Sequence, residues 1–521
     1  MRGGQWRMKT SRVVVAARSL RTVDQLDPSI SRRTLLKGGL AAAAAGLTLP
    51  AAGAALPAND PTGERWSATE EAMATLASYM KGAQTRPLPA EAAEHARLHT
   101  LDTLAAIVSG SGLPPGRAAL RFAGDYSGSG VATVVRSKEL LGPIEAALVN
   151  AMMAHADETD DSHAPSRSHP GCAVVPAALA AAERFGTDGA RFLRSVALGY
   201  DIGTRINMAL RVSNFEVGAH LSSHAMAGNW ASSAAAGCAA GLSAEQLRWL
   251  LAYAADQSSG LTIWQRDTDH IQKAFAFAGV GARNGVTAAL VVHAGWTGVA
   301  DVLSGPYNFF NSYAPASGPD LSALVEKLGV RYEVVQTNIK KWTVGSPIQA
   351  PLDAIVNLRA KHAFTADQVQ RIVVRAAASE AKLVDNRDMP DICMQHMLAV
   401  MLLDGTASFA SAHDKPRMQD PAVLKQRAKI TLIEDDELER QLPSRIAIVD
   451  VTLGDGTKLT ERVEAVRGTA QNPMTQSEIV AKARDLMSPV IGAETTSRLV
   501  DKVLALDTVR DIRELRPMLQ A

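Results

Sequence analysis

From Trp66 to about residue 335, apolar positions recur at helical spacing. Leu88-Pro89-Ala90-Glu91 predicts a helix start, with proline where a first turn tolerates it. Leu101, Leu104, Ala105 and Val108 form the apolar stripe of that helix, which ends at Gly110. Ala119 to Ser127 and Val131 to Val135 flank a Gly-Ser turn. Ile144, Leu148, Ala151 and His155 lie on one helical face, so an apolar stripe runs up to a histidine. Val174, Val175, Ala178, Leu179 and Ala182 define the next helix, and Phe192 to Leu210 another. His220 to Gly241 reads as a helix rich in small residues, which lets neighbouring helices approach closely. Leu247 to Asp256 and Val280 to His293 add two more.

Near residue 335 the pattern changes. Val369 to Ala377 carries a β-branched run that predicts a strand. Ile446 to Leu453 and Lys458 to Val463 flank Gly454-Asp455-Gly456, a hairpin signal. Helices are expected between them, over Ala350 to Lys361 and Asp391 to Leu403. From Thr475 the helical period returns, through Ile479, Ala483, Leu486 and Met487, then Leu499, Val500, Val503 and Leu504. The expected fold is mainly α. A large all-α helical domain spans 66–337, a smaller α+β lid domain 338–470, and C-terminal helices at 471–521 return to the helical domain. A linker at 56–65 precedes them.

Composition sharpens this picture. Of 521 residues, 47% are hydrophobic and only 5% aromatic, which favours closely packed helices over a β-sandwich. The 54 basic and 53 acidic residues nearly cancel, so no global field argues for nucleic acid or an acidic membrane. Cys172, Cys238 and Cys393 are odd in number and far apart, and imply neither a disulfide framework nor a cysteine-rich metal site. Ser31-Arg32-Arg33-Thr34-Leu35-Leu36-Lys37, an apolar run from Gly38 to Leu49 and then Ala52-Gly53-Ala54 resemble a twin-arginine export signal with its cleavage site. Residues 1–55 are therefore set apart from the fold. The expected partner is the twin-arginine translocon, the expected location the periplasm, and the mature chain is expected to have no membrane span.

The chemistry concentrates at His155-Ala156-Asp157-Glu158-Thr159-Asp160-Asp161-Ser162-His163, followed by Arg167-Ser168-His169-Pro170-Gly171. Four carboxylates within six residues repel one another unless cations compensate, and three histidines frame them. A solvated acidic helix end is the plain alternative.

These residues resemble the 2-methylcitrate dehydratase (MmgE/PrpD) family, which includes cis-aconitate decarboxylases and an iminodisuccinate epimerase. The run from His155 to His163 with His169-Pro170 is similar to its central H-A-x-D-x-D-D-T-H…H-P motif. Leu101-Asp102-Thr103-Leu104, Gly199-Tyr200-Asp201, Arg283-Asn284-Gly285, Gly295-Trp296-Thr297-Gly298 and Leu402-Leu403-Asp404-Gly405 resemble further family runs in the same order. The resemblance implies an all-α domain with an α+β lid, a homodimer, and no metal or organic cofactor. It implies a cofactor-independent lyase, a dehydratase or decarboxylase, acting on a small di- or tricarboxylate such as 2-methylcitrate or cis-aconitate. An isomerase or epimerase of a small dicarboxylate and a non-catalytic exported carboxylate-binding protein are the alternatives.

The expected catalytic residues follow from the motif: His169 as acid, base or carboxylate ligand, with Glu158, Asp160, Asp161 and Ser162 around it. The family's next histidine falls on His220 or His224, which would share a helix face if one helix held both. Lys273, Lys340, Lys341 and Gln349 are the expected substrate-binding residues, and a lysine of the Lys340-Lys341 pair is expected to clamp a substrate carboxylate. His396 stands where the decarboxylase branch has a tyrosine. The sequence departs from the pattern elsewhere too. Glu158 replaces an aspartate, Ser162 a threonine, and Phe277 and Gln349 stand where the family has histidines. The acidic run could also suggest an aspartate-rich Mg²⁺ site of the terpenoid-synthase kind, but the second metal motif of that class is missing. A histidine-carboxylate transition-metal site lacks any H-E-x-x-H or H-x-x-E-H spacing.

Overall fold

A computed structural model describes residues 62–125, 130–212 and 220–521. The expected export signal and the Gly-Ser turn at 126–129 lie outside the described residues. Helix α1, Thr62–Ala83, starts inside the expected linker, where Glu64 and Arg65 are good helix formers.

Helix α2, Ala90–Gly110, follows Pro89 and ends at the glycine, as its sequence signals imply. Helix α3, Pro114–Asp125, and an antiparallel pair of short strands, β1, Ala132–Thr133, and β2, Leu140–Leu141, lead into α4, Pro143–Ala154. His155 caps α4 rather than continuing it. Helices α5, Gly171–Phe185, and α6, Gly189–Ala209, follow. Helix α7, Ser223–Ala240, begins at the N-cap Ser222, and α8 is Ala244–Asp256. Helix α9, Ile271–His293, contains a π segment at Phe275–Gly279. By length and composition α9 could cross a bilayer, yet most of its apolar window is buried by protein.

The small residues of α7 serve the close approach expected of them. A Cβ on Gly285 of α9 would lie 2.4 Å from the backbone of Ser232, so the two helices touch nearly backbone to backbone. One part of this reading fails. His220 precedes α7, has φ 54° and is exposed, so it shares no helix face with His224. The Ser222 side chain accepts from the Ala225 amide and starts the helix there.

The second core belongs to the α+β part. It holds α10, Ser346–Lys361; β3, Val369–Ala377; α11, Ala378–Val384; α12, Met394–Asp404; α13, Pro421–Arg427; and strands β4, Ile430–Asp435, β5, Ala447–Leu453, and β6, Lys458–Val463. The sheet order is β4-β3-β5-β6. β5 and β6 form the expected antiparallel hairpin, with Val449 opposite Glu461. β4 was not legible: it is a short edge strand ending in Glu434-Asp435, and it pairs parallel to β3 across a helical crossover. Ile348, Leu352, Ile372, Val374, Met397 and Val449 build this core.

Helix α14, Gln476–Ile491, opens with a capping box between Thr475 and Glu478, and α15 is Ala493–Leu504. Leu486, Met487 and Leu499 join the core of the first helices. Lys482 of α14 reaches Asp102 of α2 at 2.7 Å and donates to the Thr159 carbonyl at 3.0 Å. The C-terminal helices thus hold the acidic loop from behind.

Candidate active site

The acidic run leaves α4 as a buried loop, and each carboxylate has its own set of partners. Asp157 accepts from the amide and hydroxyl of Thr159, at 2.9 and 2.6 Å, and its Oδ2 lies 3.1 Å from Nε2 of His413. Burial opposes its charge, but the contact with His413 and the Thr159 hydrogen bonds prevail and its pKa is lowered. Glu158 takes Lys273 Nζ on Oε1 and Lys340 Nζ on Oε2 at 3.4 Å. Burial would raise its pKa, but the two ammonium groups hold it well below the usual carboxylate range. Asp160 joins two imidazoles: His155 Nδ1 donates to Oδ2 at 2.9 Å and His169 Nδ1 to Oδ1 at 3.1 Å. Lys340 Nζ lies 3.8 Å from the same Oδ1.

Asp161 faces the other way. It accepts from His99 Nδ1 at 2.7 Å, the Gly171 amide at 2.9 Å and the Tyr200 hydroxyl. A Cβ on Gly171 would meet Tyr200, Asp161 and Thr103 within 2.8 Å, so only glycine lets α5 start there. Asp161, expected among the catalytic residues, has both oxygens engaged within the helical core. Ser162 pairs by its backbone with Asn338 and turns toward the cavities between the two cores.

His169 sits two residues before α5. With Nδ1–H committed to Asp160, Nε2 is the ring nitrogen left for the cavity that His169 lines. Burial lowers its pKa, so the neutral imidazole is favoured. Phe277, on the π segment, explains one departure from the family motif. Its ring stacks between His155, at 4.5 Å and 12°, and His224, at 3.6 Å and 15°. The phenyl ring fills the space between two imidazoles without adding a charge. Burial pushes the pKa of His224 well below its ordinary value.

One cavity of about 170 Å³ is walled by Glu158, His169, His224, His270, Lys273, Phe277 and Trp264 on the helical side. Leu383, Val384, Met389, Ile392 and Arg445 face it from the lid side. His220 borders only the adjoining, larger space of about 620 Å³, so of the two candidate histidines His224 joins the cluster.

Three expected site residues are placed elsewhere. His396 lies in the lid core, where burial takes its pKa down to about 4 and neither ring nitrogen has a hydrogen-bond partner. Lys341 stacks over Trp342 at 4.5 Å and approaches Asp353 at 4.0 Å on the lid. Gln349 is buried and spans the backbone of Trp342 and Val344, bracing the lid entry. It edges a cavity of about 180 Å³ on the Lys340 side. Lys340 and His169 border different cavities, and both contact Asp160.

Sequence reasoning missed His270, Trp264, His413 and Arg445. His270 and His413 lie outside the central motif, and neither has a spacing signal toward it. His155, Glu158 and His270 offer ligand atoms within 4.8 Å of one another. Lys273 and Lys340 already sit on the Glu158 carboxylate, so a divalent cation would meet two like charges there.

The MmgE/PrpD N-terminal domain profile matches residues 74–322, and the C-terminal domain profile matches 342–507. The chain belongs to the MmgE/PrpD family. A cis-aconitate decarboxylase of Aspergillus terreus is 25% identical over 465 residues, 84% of this chain and 93% of that protein. The cis-aconitate decarboxylase of Mus musculus is 25% identical over 437 residues, 81% and 87% of the two chains. A 2-methylcitrate dehydratase-like protein of Aspergillus oryzae, oryR, is 24% identical over 307 residues, 52% and 58%. At family level this MmgE/PrpD protein is an enzyme, a lyase.

Proposed function

We propose that the protein is a lyase of a small di- or tricarboxylate, acting by dehydration or decarboxylation. The observation that carries this reading is the Asp160–His169 pair, whose imidazole borders a half-open cavity that Lys273 also lines. Both reactions build negative charge on carbon beside a carboxylate and both move a proton. Neutral His169 supplies the proton acceptor, or the donor once protonated, and Asp160 holds its tautomer. Lys273, with 15% of its side chain exposed, offers its ammonium to a substrate carboxylate and to the charge that develops there. Its position over the Trp264 and Phe277 rings, at 5.6 and 5.1 Å, fixes the ammonium and keeps water from one side. Lys340 holds Glu158 in place by its backbone oxygen and its carboxylate.

The relatives' names make cis-aconitate and 2-methylcitrate the first substrates to test. Purified protein should turn over one of cis-aconitate, 2-methylcitrate, citrate or iminodisuccinate, with equal rates before and after chelation. Turnover lost on chelation and restored by Mg²⁺ would defeat the reading in favour of a metal enzyme. Tight binding of these acids without turnover would make it a carboxylate-binding protein, and inversion of iminodisuccinate an epimerase.

A further inference from the structure

We infer that Arg445 of the lid is the second carboxylate clamp of this site and sets its preference for substrates with an additional carboxylate. The inference rests on the reading of the cavity as a polycarboxylate site.

Three cavities separate the lid from the helical core. One contains His169 and Lys273, one the mouth at His220, and one the face of Lys340. Arg445 is the one residue that borders all three. It precedes β5, so the sheet fixes its backbone on the side facing the acidic loop. Its Nε donates to Glu380 Oε1 at 2.6 Å, and the Glu380 side chain is only 12% exposed. That contact uses a single edge of the guanidinium. Among the described residues, Nη1 and Nη2 make no hydrogen bond, and the side chain keeps 26% exposure toward the cavities.

A guanidinium tethered at Nε presents its remaining N–H groups as a planar fork, the geometry that takes a carboxylate bidentately. The tether also removes much of the rotamer entropy that binding would otherwise cost. The charge layout complements this. Lys273 offers a cation from α9 on the helical side, and Arg445 offers one from the lid side of the same cavity. Each acid that lines this cavity already has a partner: Glu158 holds Lys273 and Lys340, Asp267 accepts from the Lys273 amide, and Glu380 holds Arg445 Nε. A ligand with carboxylates at both ends would bridge the two cores, whereas one lacking the second carboxylate would hold only to the helical side.

The test is calorimetric binding of tricarballylate, a saturated tricarboxylate, compared with glutarate and 2-methylsuccinate, which each lack one of its carboxylates. Wild type should bind tricarballylate roughly 10- to 100-fold more tightly than the weaker of the two truncated acids, the range of a charge-assisted contact. R445Q should abolish that gap while melting at the wild-type temperature, and R445K should keep only part of it. An equal gap in R445Q and wild type, or no gap in wild type, overturns the inference. Turnover is scored separately. A gap that disappears in R445Q without turnover of any acid upholds the clamp and refutes the lyase reading. Turnover with an unchanged gap does the reverse.

Discussion

His169 carries a prediction about both rate and pH. His169→Ala should lower turnover by roughly 10²-fold or more, the scale of losing a positioned acid or base. Because burial lowers its pKa, the imidazole stays neutral to a lower pH than an ordinary histidine with a value of 6.5. The acid limb of kcat/KM should therefore fall below pH 6.5, and an acid limb above it would exclude neutral His169 as the base. The two lysines should separate in kinetics. Lys273 borders the cavity, so Lys273→Ala should raise KM through the lost carboxylate contact and lower kcat through the lost stabilisation of developing charge. Lys340 is 2% exposed in its side chain and spends its ammonium on Glu158. Lys340→Ala should lower kcat and the melting temperature together, since Glu158 would keep one cation instead of two. Lys340 was expected to grip substrate directly, and a rise in KM alone would favour that role. Steady-state kinetics and thermal melts on both variants distinguish the two cases.

At the scale of elements, the acidic loop is held from two directions. Lys482 of α14 fixes the Thr159 carbonyl, and His413, which follows the short helix Phe409–Ala412 in the lid, fixes Asp157. The His413 contact is a pH-dependent latch between lid and loop. Burial would lower the pKa of His413, but the close Asp157 carboxylate, with Asp391 nearby, raises it to about 9. A raised folded pKa means the stabilisation is full below 6.5 and disappears as pH rises through about 9. The lowered pKa of Asp157 means its share is present above 3.8 and disappears as pH falls below that. Wild type should thus melt above His413→Gln near neutral pH, and the difference should vanish by about pH 10. A constant difference across that range would show that His413 acts by packing alone.

At the scale of the whole chain, we propose export through the twin-arginine pathway, on the strength of Arg32-Arg33 and the apolar run after them. Arg32→Lys with Arg33→Lys should leave the precursor in the cytoplasm, because the translocon reads the arginine pair. Fractionation of expressing cells checks this, and unchanged periplasmic activity would refute it. The C-terminal helices matter at this scale too. Leu486, Met487 and Leu499 join the first helices' core, while Lys482 supports the loop that carries Asp160. The end of the chain thereby fixes an acidic loop from its first third.

Periodicity determined the elements. The ends of α2, the β3 strand and the β5–β6 hairpin were readable because caps, β-branched runs and a Gly-Asp-Gly turn act over a few residues. The weakly patterned edge strand β4 was not, since its identity depends on a partner far along the chain. The acidic motif located the site, and its residue types set the chemistry available there. Only the tertiary structure decided how those residues are used. It turned Asp161 toward His99 and Tyr200, and Asp160 toward His169. It chose His224 over His220, buried His396 in another core, and brought His413 and Arg445 of the lid to the loop. Local sequence signals measure what a few neighbouring residues prefer. Which carboxylate meets which cation across more than a hundred residues depends on the packing of whole helices.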